Sequence, residues 1–369
     1  MNREELRRLN LGESLDSIMN IDPRGYGVCR ILYKASREYT KKPLTMNAAL
    51  KLCETLKEGD LVYLMTGFVL RPFKKAETDG IVGTMLLAGA LVKAFNVKPV
   101  IICQEENIEA VKNLSYVIGL HYHDSIEGIY EYPKSLAGIA FTKDKSKGKY
   151  MAEELMSKGM PKAVIAIECP GANYKGFYHN SLGKDITNLE AKADILFEKL
   201  KEKGVLNIAI GDLGNELGMG TLKDHLEKYI PRAAKGSCDC PCKGGLIAKT
   251  SADNIITATV SDWGTYGLIA YIAYLKNDIN IMHDKEKELE ALKVASRSGM
   301  IDMYGDLIPA IDGCNSSMIC SVVNLMREIV DSSLKLKETC SEWFDKVIEL
   351  GFFDEEESIK EYENIQKIV

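Results

Sequence analysis

The sequence predicts an α/β fold: a mostly parallel sheet covered by helices, Rossmann-like and three-layered, with a helical C-terminal layer. Three observations predict it. Short, near-continuous apolar runs recur along the chain, as strands buried on both faces require. Between about residues 58 and 280 these runs alternate with stretches of helical periodicity, the order of βαβ units. After residue 284 the apolar runs stop and helical periodicity takes over.

Taken in order, residues 1–57 read as helical. Lys41-Lys42-Pro43 interrupts them ahead of a helix over about 45–57, because proline lacks a backbone donor. Leu61-Val62-Tyr63-Leu64-Met65 is a strand turning at Thr66-Gly67-Phe68, and residues 80–95 form a helix. Strand 98–103 leads to helix 105–114, strand 135–141 to helix 150–158, and strand 163–168 to a long polar loop. An amphipathic helix over 189–203 stops at Gly204, a good C-terminal residue for a helix. Leu206-Asn207-Ile208-Ala209-Ile210 is a strand running straight into a glycine-rich loop. An apolar run at 254–260 precedes a buried helix containing Ile269-Ala270-Tyr271-Ile272-Ala273-Tyr274-Leu275. Helices are expected at 285–297, 315–333, 338–350 and 354–368, with a loop at 301–313 carrying Asp302, Asp306 and Asp312. No repeat or linker divides the chain, so one domain over 1–369 is expected: a helical segment 1–57, an α/β core 58–280 and C-terminal helices 285–369.

The composition narrows the function classes. Hydrophobic residues make up 46% and charged residues 27%, which is globular and not disordered. The net charge is −6 and no basic stripe is present, which argues against a nucleic-acid partner. The start, Met1-Asn2-Arg3-Glu4-Glu5-Leu6-Arg7-Arg8, does not read as a secretory signal. No window approaches the roughly 20 apolar residues that span a bilayer. A cytoplasmic protein with no membrane partner is expected. Of the ten cysteines, Cys53, Cys103, Cys169 and Cys320 sit in apolar runs as buried thiols. Cys238-Asp239-Cys240-Pro241-Cys242 gathers three thiols, but no second Cys or His cluster lies at structural zinc spacing. Free thiols on a surface loop are the favoured reading there, with a metal or redox role the lesser one.

In an open parallel sheet, ligands bind beyond the carboxyl ends of the strands, so the loops after strands carry most weight. The first holds Glu77-Thr78-Asp79-Gly80. Asp79 is placed to cap the helix that starts there, while Glu77 lies outside that cap; a helix start also suits an anion. The second, residues 168–186, offers an acid, an amide, a phenol, an imidazole and amines. Its His179 is a general base or, equally, a buried histidine tied to a carbonyl. The third is Gly211-Asp212-Leu213-Gly214-Asn215-Glu216-Leu217-Gly218-Met219-Gly220. It lacks a Gly-Lys-Ser/Thr ending and a G-x-G-x-x-G spacing, and its acids repel a bare phosphate. Asp212 and Glu216 suit a hard divalent cation, Mg²⁺ or Mn²⁺, or a substrate ammonium better than a solvated turn. In a fourth segment, Ser261-Asp262-Trp263-Gly264-Thr265-Tyr266, the aromatics either wall a pocket or join the core.

Side by side, these segments resemble the D-glutamate cyclase family in its C-terminal-module form, as in stand-alone prokaryotic relatives. The likeness rests on Thr66-Gly67-Phe68 with Glu77-Thr78-Asp79-Gly80, and on Gly176-Phe177-Tyr178-His179-Asn180 with Gly183-Lys184-Asp185-Ile186. It rests further on the 211–220 loop and on Ser261-Asp262-Trp263-Gly264. These run in family order over about 60–270. The chain departs at Leu213 and Thr265, where glycines are expected, at Asp262, where asparagine is expected, and at Ile81-Val82, where prolines are expected. Its Cys238–Cys242 cluster is a further departure.

The resemblance implies a lyase closing D-glutamate, or a similar small acid, to 5-oxo-D-proline with loss of water. A divalent metal fits that chemistry, with Glu77 or Asp79 joining Asp212 and Glu216 around it. Glu168, His179 and Asp185 are the proton-transfer candidates. Thr66, Gly67, Asn180, Gly214, Asn215, Gly218 and Trp263 are the substrate-contact candidates. Two rivals stay open: a metal-dependent hydrolase or transferase on a phosphorylated ligand, and a non-catalytic amino-acid-binding module. The apolar faces of helices 315–333 and 338–350 suit a homo-oligomer or the core.

Overall fold

A computed structural model describes residues 2–335, 341–351 and 353. Three helices open the chain: α1 (Arg3–Met19), α2 (Val28–Thr40) and α3 (Leu44–Thr55). The strands and helices of the core follow as β1 (Leu61–Thr66), a small hairpin of β2 (Val69–Leu70) and β3 (Lys75–Ala76), α4 (Ile81–Phe95), β4 (Lys98–Cys103), α5 (Glu105–Ile118), β5 (His121–His123), β6 (Ser135–Ala140), α6 (Lys145–Lys158), β7 (Ala163–Ile167), α7 (Ala193–Glu202), β8 (Leu206–Gly211), α8 (Lys223–Tyr229), β9 (Asn254–Thr257) and α9 (Ser261–Leu275). The chain continues through α10 (Lys285–Arg297), a hairpin of β10 (Ala310–Ile311) and β11 (Cys314–Asn315), α11 (Ser316–Leu334) and α12 (Ser341–Glu349). The helix expected over 354–368, and residues 338–340 of the one expected over 338–350, lie outside the described residues.

Seven strands form one sheet in the order β5-β6-β4-β1-β7-β8-β9, every neighbouring pair parallel. Alternate residues of each strand feed opposite faces. Val62, Leu64, Ile165, Ile167, Ile208 and Ile210 pack with α1, α3, α4, α5, α9, α10 and α11. Tyr63, Met65, Val164, Ala166 and Ala209 pack with α2, α6, α7 and α8. This is a three-layer α/β fold, with α10 and α11 added outside α9. Helix α9 is apolar on nearly every side because α1, α3, α4 and α11 surround it, and 13 of its residues are buried. No helix among the described residues is long and apolar enough to cross a membrane.

The structure adjusts several expected elements. Strand β5 was not anticipated: His121-Tyr122-His123 is polar because it forms a sheet edge. Helix α6 begins at Lys145, where Asp144 caps it by accepting from the Ser146 amide at 2.9 Å. Helix α7 begins at Ala193 and not at Leu189. A buried pair holds the intervening segment off helix: the Glu190 carboxylate accepts from the Val69 amide at 3.0 Å and the Gln104 side chain at 2.9 Å, and the Lys192 ammonium donates to the Thr187 and Glu190 carbonyls.

Candidate active site

The strand order places the site. From β1 the chain moves outward to β4, β5 and β6, then returns to the other side of β1 with β7. The carboxyl ends of β1 and β7 therefore flank a topological switch point, where a crevice opens in sheets of this kind. Thr66 ends β1 there, and Glu168 follows β7. Around this point Asp79, Asp212 and Asp312 each bring a carboxylate oxygen within 4.8 Å of the others. Glu168, Asp212 and Glu216 do the same, so Asp212 belongs to both groups.

Backbone amides hold Asp79, Asp262 and Glu216, and side chains hold Glu168 and Asp312. Asp79 and Asp262 exchange helix starts: the Asp79 carboxylate accepts from the Ser261 and Asp262 amides at 3.4 and 3.1 Å, and Asp262 Oδ1 accepts from the Gly80 amide at 3.0 Å. Asp79 thus caps α9, 182 residues away, while the Gly80 amide that opens α4 is shared between Asp262 and Asp79 itself, whose Oδ1 accepts it at 2.9 Å. Each carboxylate meets the free N–H groups and positive end of a helix. Glu216 folds back on its own loop, accepting from the amides of Asp212 (3.1 Å), Leu213 (2.8 Å) and Gly214 (2.5 Å). Glu168 has φ +41° and accepts from the Ser261 hydroxyl at 2.6 Å. Asp312 sits at the tip of the β10–β11 hairpin and pairs with Arg24 from the α1–α2 loop, whose guanidinium also donates to the Thr259 carbonyl.

The electrostatics follow from burial of like charges. Burial, then Asp79, pushes Glu77 well above the carboxylate range. Burial and Asp312 push Asp79 to about 7. Burial, then Asp212 and Glu216, raise Glu168, and burial, then Asp312, raise Asp212. Burial, then Asp79, raises Asp262. Asp312 rises less because Arg24 opposes its burial. Such an array holds either protons or a cation. At the strand ends and the helix starts beyond them, several buried polar atoms also lack partners among the described residues: Thr66 Oγ1, both amide atoms of Asn107, Asn215 Oδ1 and Asp262 Oδ2. Orphaned buried groups of this kind call for a ligand, water or ion. An all-oxygen, carboxylate-rich donor set fits a hard divalent ion.

A family model described as D-glutamate cyclase-like, C-terminal, matches residues 15–327. The chain belongs to that family. The match runs from α1 to α11 and includes Arg24 and every carboxylate named above. Human mitochondrial D-glutamate cyclase is 27% identical over 271 residues, an alignment covering 70% of this chain and 38% of the human protein. The chain therefore spans well under half the length of that relative.

The residues singled out from the sequence divide into three groups in this family member. Asp79, Asp212, Glu216 and Glu168 converge; Glu77 is half-buried beside them, outside both 4.8 Å groups. Thr66, Gly67, Gly214 and Asn215 lie on the strand-end loops around them, whereas Gly218 turns into the protein. A Cβ at Gly218 falls 2.3 Å from that of Ala209, so this glycine seats the loop on β8. The third group makes other contacts. Trp263 is fully buried and belongs to the hydrophobic core. Asn180 builds a turn, accepting from the Leu182 and Lys184 amides at 3.1 and 3.0 Å, and Asp185 accepts from the Thr187 amide at 2.8 Å.

His179 is fully buried, with Nε2 3.1 Å from Cys240 Sγ and 3.5 Å from Cys242 Sγ. The expectation of free thiols on a surface loop is corrected here, because Cys238, Cys240 and Cys242 are all buried. Asp312, Arg24 and the acid role of Asp262 were missed. The only sequence signal was the aspartate-rich loop at 301–313.

Proposed function

We propose that this chain is a D-glutamate cyclase-like lyase that closes D-glutamate, or a closely related amino dicarboxylic acid, to the five-membered lactam with loss of water. The observation that carries it is the convergence of five carboxylates at the strand switch point in a member of this family. In the reaction the amine nitrogen bonds to the side-chain carboxyl carbon. One C–O bond of that carboxyl breaks, and two amine protons leave with its oxygen as water.

Asp79, Asp212 and Asp312, with Glu216 beyond Asp212, are the residues that would hold a Mg²⁺ or Mn²⁺ ion, which would supply Lewis-acid polarisation and offset the substrate's negative charge. Glu168 carries a proton between the amine and the departing oxygen, its Oε2 anchored by the Ser261 hydroxyl. Asn215 Oδ1 accepts from the amine, and Thr66 Oγ1 donates to a substrate carboxylate, which gives both orphaned atoms a partner. Glu216 keeps the 212–216 turn closed so that Asp212 faces the crevice.

The test is a panel of D- and L-glutamate and D- and L-5-oxoproline, scored for binding and turnover with and without Mn²⁺. Interconversion of D-glutamate and 5-oxo-D-proline is expected, lost on chelation and restored by Mn²⁺ or Mg²⁺. Glu168→Gln is expected to lower kcat by about 10²–10⁴-fold. Binding without turnover overturns the proposal in favour of a binding module. Thermal stabilisation by nucleotides, with none by D-glutamate, overturns it in favour of a phosphate-ester enzyme. Full activity after chelation removes the metal from it.

A further inference from the structure

We infer that His179, Cys238, Cys240 and Cys242 form a closed, structural site for one zinc ion, separate from the carboxylate crevice. One ligand atom from each lies within 4.8 Å of the others, and all four side chains are buried. The two sulfur separations from Cys238 match the edges of a tetrahedron around zinc, and the two from His179 Nε2 fall within about 0.5 Å of them. With Zn–S near 2.3 Å and Zn–N near 2.0–2.1 Å, the edges of that tetrahedron are about 3.8 Å between sulfurs and about 3.6 Å from nitrogen to sulfur. Cys238 Sγ lies 3.9 Å from Cys240 Sγ and 3.7 Å from Cys242 Sγ. His179 Nε2 lies 3.1 and 3.5 Å from Cys240 Sγ and Cys242 Sγ. These sulfur separations are far longer than the roughly 2.05 Å of a disulfide bond.

The surroundings suit thiolates. The Cys242 amide points at Cys240 Sγ at 3.3 Å and the Gly244 amide at Cys242 Sγ at 3.2 Å. The Asn173 side chain donates to Cys242 Sγ at 3.5 Å. Lys175 and Lys243 reach over the cluster to donate to the Cys242 and Cys238 carbonyls at 2.7 and 3.2 Å, bringing positive charge to a site with three anionic ligands. Donors aimed at ligating atoms are what tune and hold a metal site. A set of three sulfurs and one nitrogen with no oxygen selects a borderline-soft ion such as zinc over Mg²⁺ or Ca²⁺. All four positions are filled by protein, so the site holds structure and leaves no place for substrate.

Its structural task is legible. The ion would join the 168–186 loop to the 232–248 segment, neither of which contains a helix or strand, beside the hydrogen bonds that Asn173 and Lys175 already make to the Gly245 and Cys242 carbonyls. The same His179 offers its carbonyl to the Asn215 side chain at 2.9 Å. Zinc therefore braces, through one peptide, the loop that carries Asp212 and Glu216.

The experiment measures metal in the full chain purified under reducing conditions. About one zinc per chain is expected, retained through dialysis against a mild chelator, with Cys238, Cys240 and Cys242 protected from a thiol reagent. Cobalt(II) exchanged into the wild-type protein is expected to give tetrahedral ligand-field bands with thiolate charge-transfer absorption, a readout that needs no variant. Cys240→Ser is expected to lose the zinc and melt several degrees lower, and Cys53→Ser to keep it. His179→Cys is expected to retain zinc with a four-sulfur cobalt spectrum, which guards against a Cys240 variant that fails to fold. Three findings each overturn the inference: no zinc or cobalt bound as isolated or after reductive reconstitution, a disulfide among these cysteines, or full zinc in Cys240→Ser. None of them bears on the carboxylate site, which is scored by turnover.

Discussion

Glu168 occupies a left-handed backbone conformation that costs a non-glycine residue on the order of 1–3 kcal/mol. The conformation swings its carboxylate out of the line of β7 and toward Ser261 and Asp212. Space for it comes from Gly80, where an added Cβ falls 2.6 Å from Glu168 Cβ and 2.8 Å from Thr66 Oγ1, at a φ of +81°. Gly80→Ala therefore strains its own backbone and displaces Glu168 and Thr66 together. We expect it to lower stability by at least about 2 kcal/mol in chemical denaturation and to abolish turnover. A Gly80→Ala protein as stable and active as wild type refutes this account of the close approach.

At the scale of elements, a repeated device is a buried acid on one element capping the helix start of another. Asp79 does it for α9 and Asp262 for α4. Asp16, inside α1, does it for α3, accepting from the Leu44 amide at 2.6 Å, the Thr45 amide at 3.2 Å and the Thr45 hydroxyl at 2.7 Å. Burial pushes Asp16 up to about 6 against these hydrogen bonds. The native state then binds a proton more tightly than the unfolded chain. This contribution to stability is full below about pH 4 and is lost as pH rises through about 6. Comparing unfolding free energies of wild type and Asp16→Asn from pH 4 to 7 isolates it. We expect wild type to lose on the order of 2 kcal/mol relative to the variant over that interval. Parallel curves would show that Asp16 does not titrate there.

Such caps mark where the sequence was readable and where it was not. Strands β1, β4, β6, β7 and β8 and helices α4, α9, α10 and α11 announced themselves through apolar runs and periodicity, because each buries a continuous face. Asp79 reads as a cap for the adjacent α4, and it does accept from the Gly80 amide at 2.9 Å, but its reach to α9 is not legible. Local spacing carries no trace of a partner helix 182 residues on. The two-residue hairpins were silent, since no pattern fits in so short a strand, and one of them delivers Asp312. The acids of the 211–220 loop were legible because glycines frame them. The histidine-to-cysteine contact was not, since 61 residues separate His179 from Cys240.

On the scale of the whole molecule, the parallel sheet brings distant loops to one edge, while its own edges are managed separately. Helices α2 and α3 pack over β9, and β5 is only three residues long. An edge that is short or covered offers little template for another chain. Arg24 ties the N-terminal helices to the far hairpin through Asp312 and to the α9 approach through Thr259, so three separate parts of the chain enclose the carboxylates.

The exchange of acids between α4 and α9 also has a temporal side. Its hydrogen bonds join residues 182 and 183 positions apart, and such closures come late when a chain folds. Helices and neighbouring strand pairs can form while Asp79 and Asp262 are still strangers. Refolding followed by far-ultraviolet circular dichroism should therefore run ahead of recovery of the competent crevice, sampled by turnover at successive delays. Simultaneous recovery of both would mean that the two helix starts meet early. On that order the carboxylate crevice would be the last part of this protein to form, and a chain caught midway would carry the sheet without it.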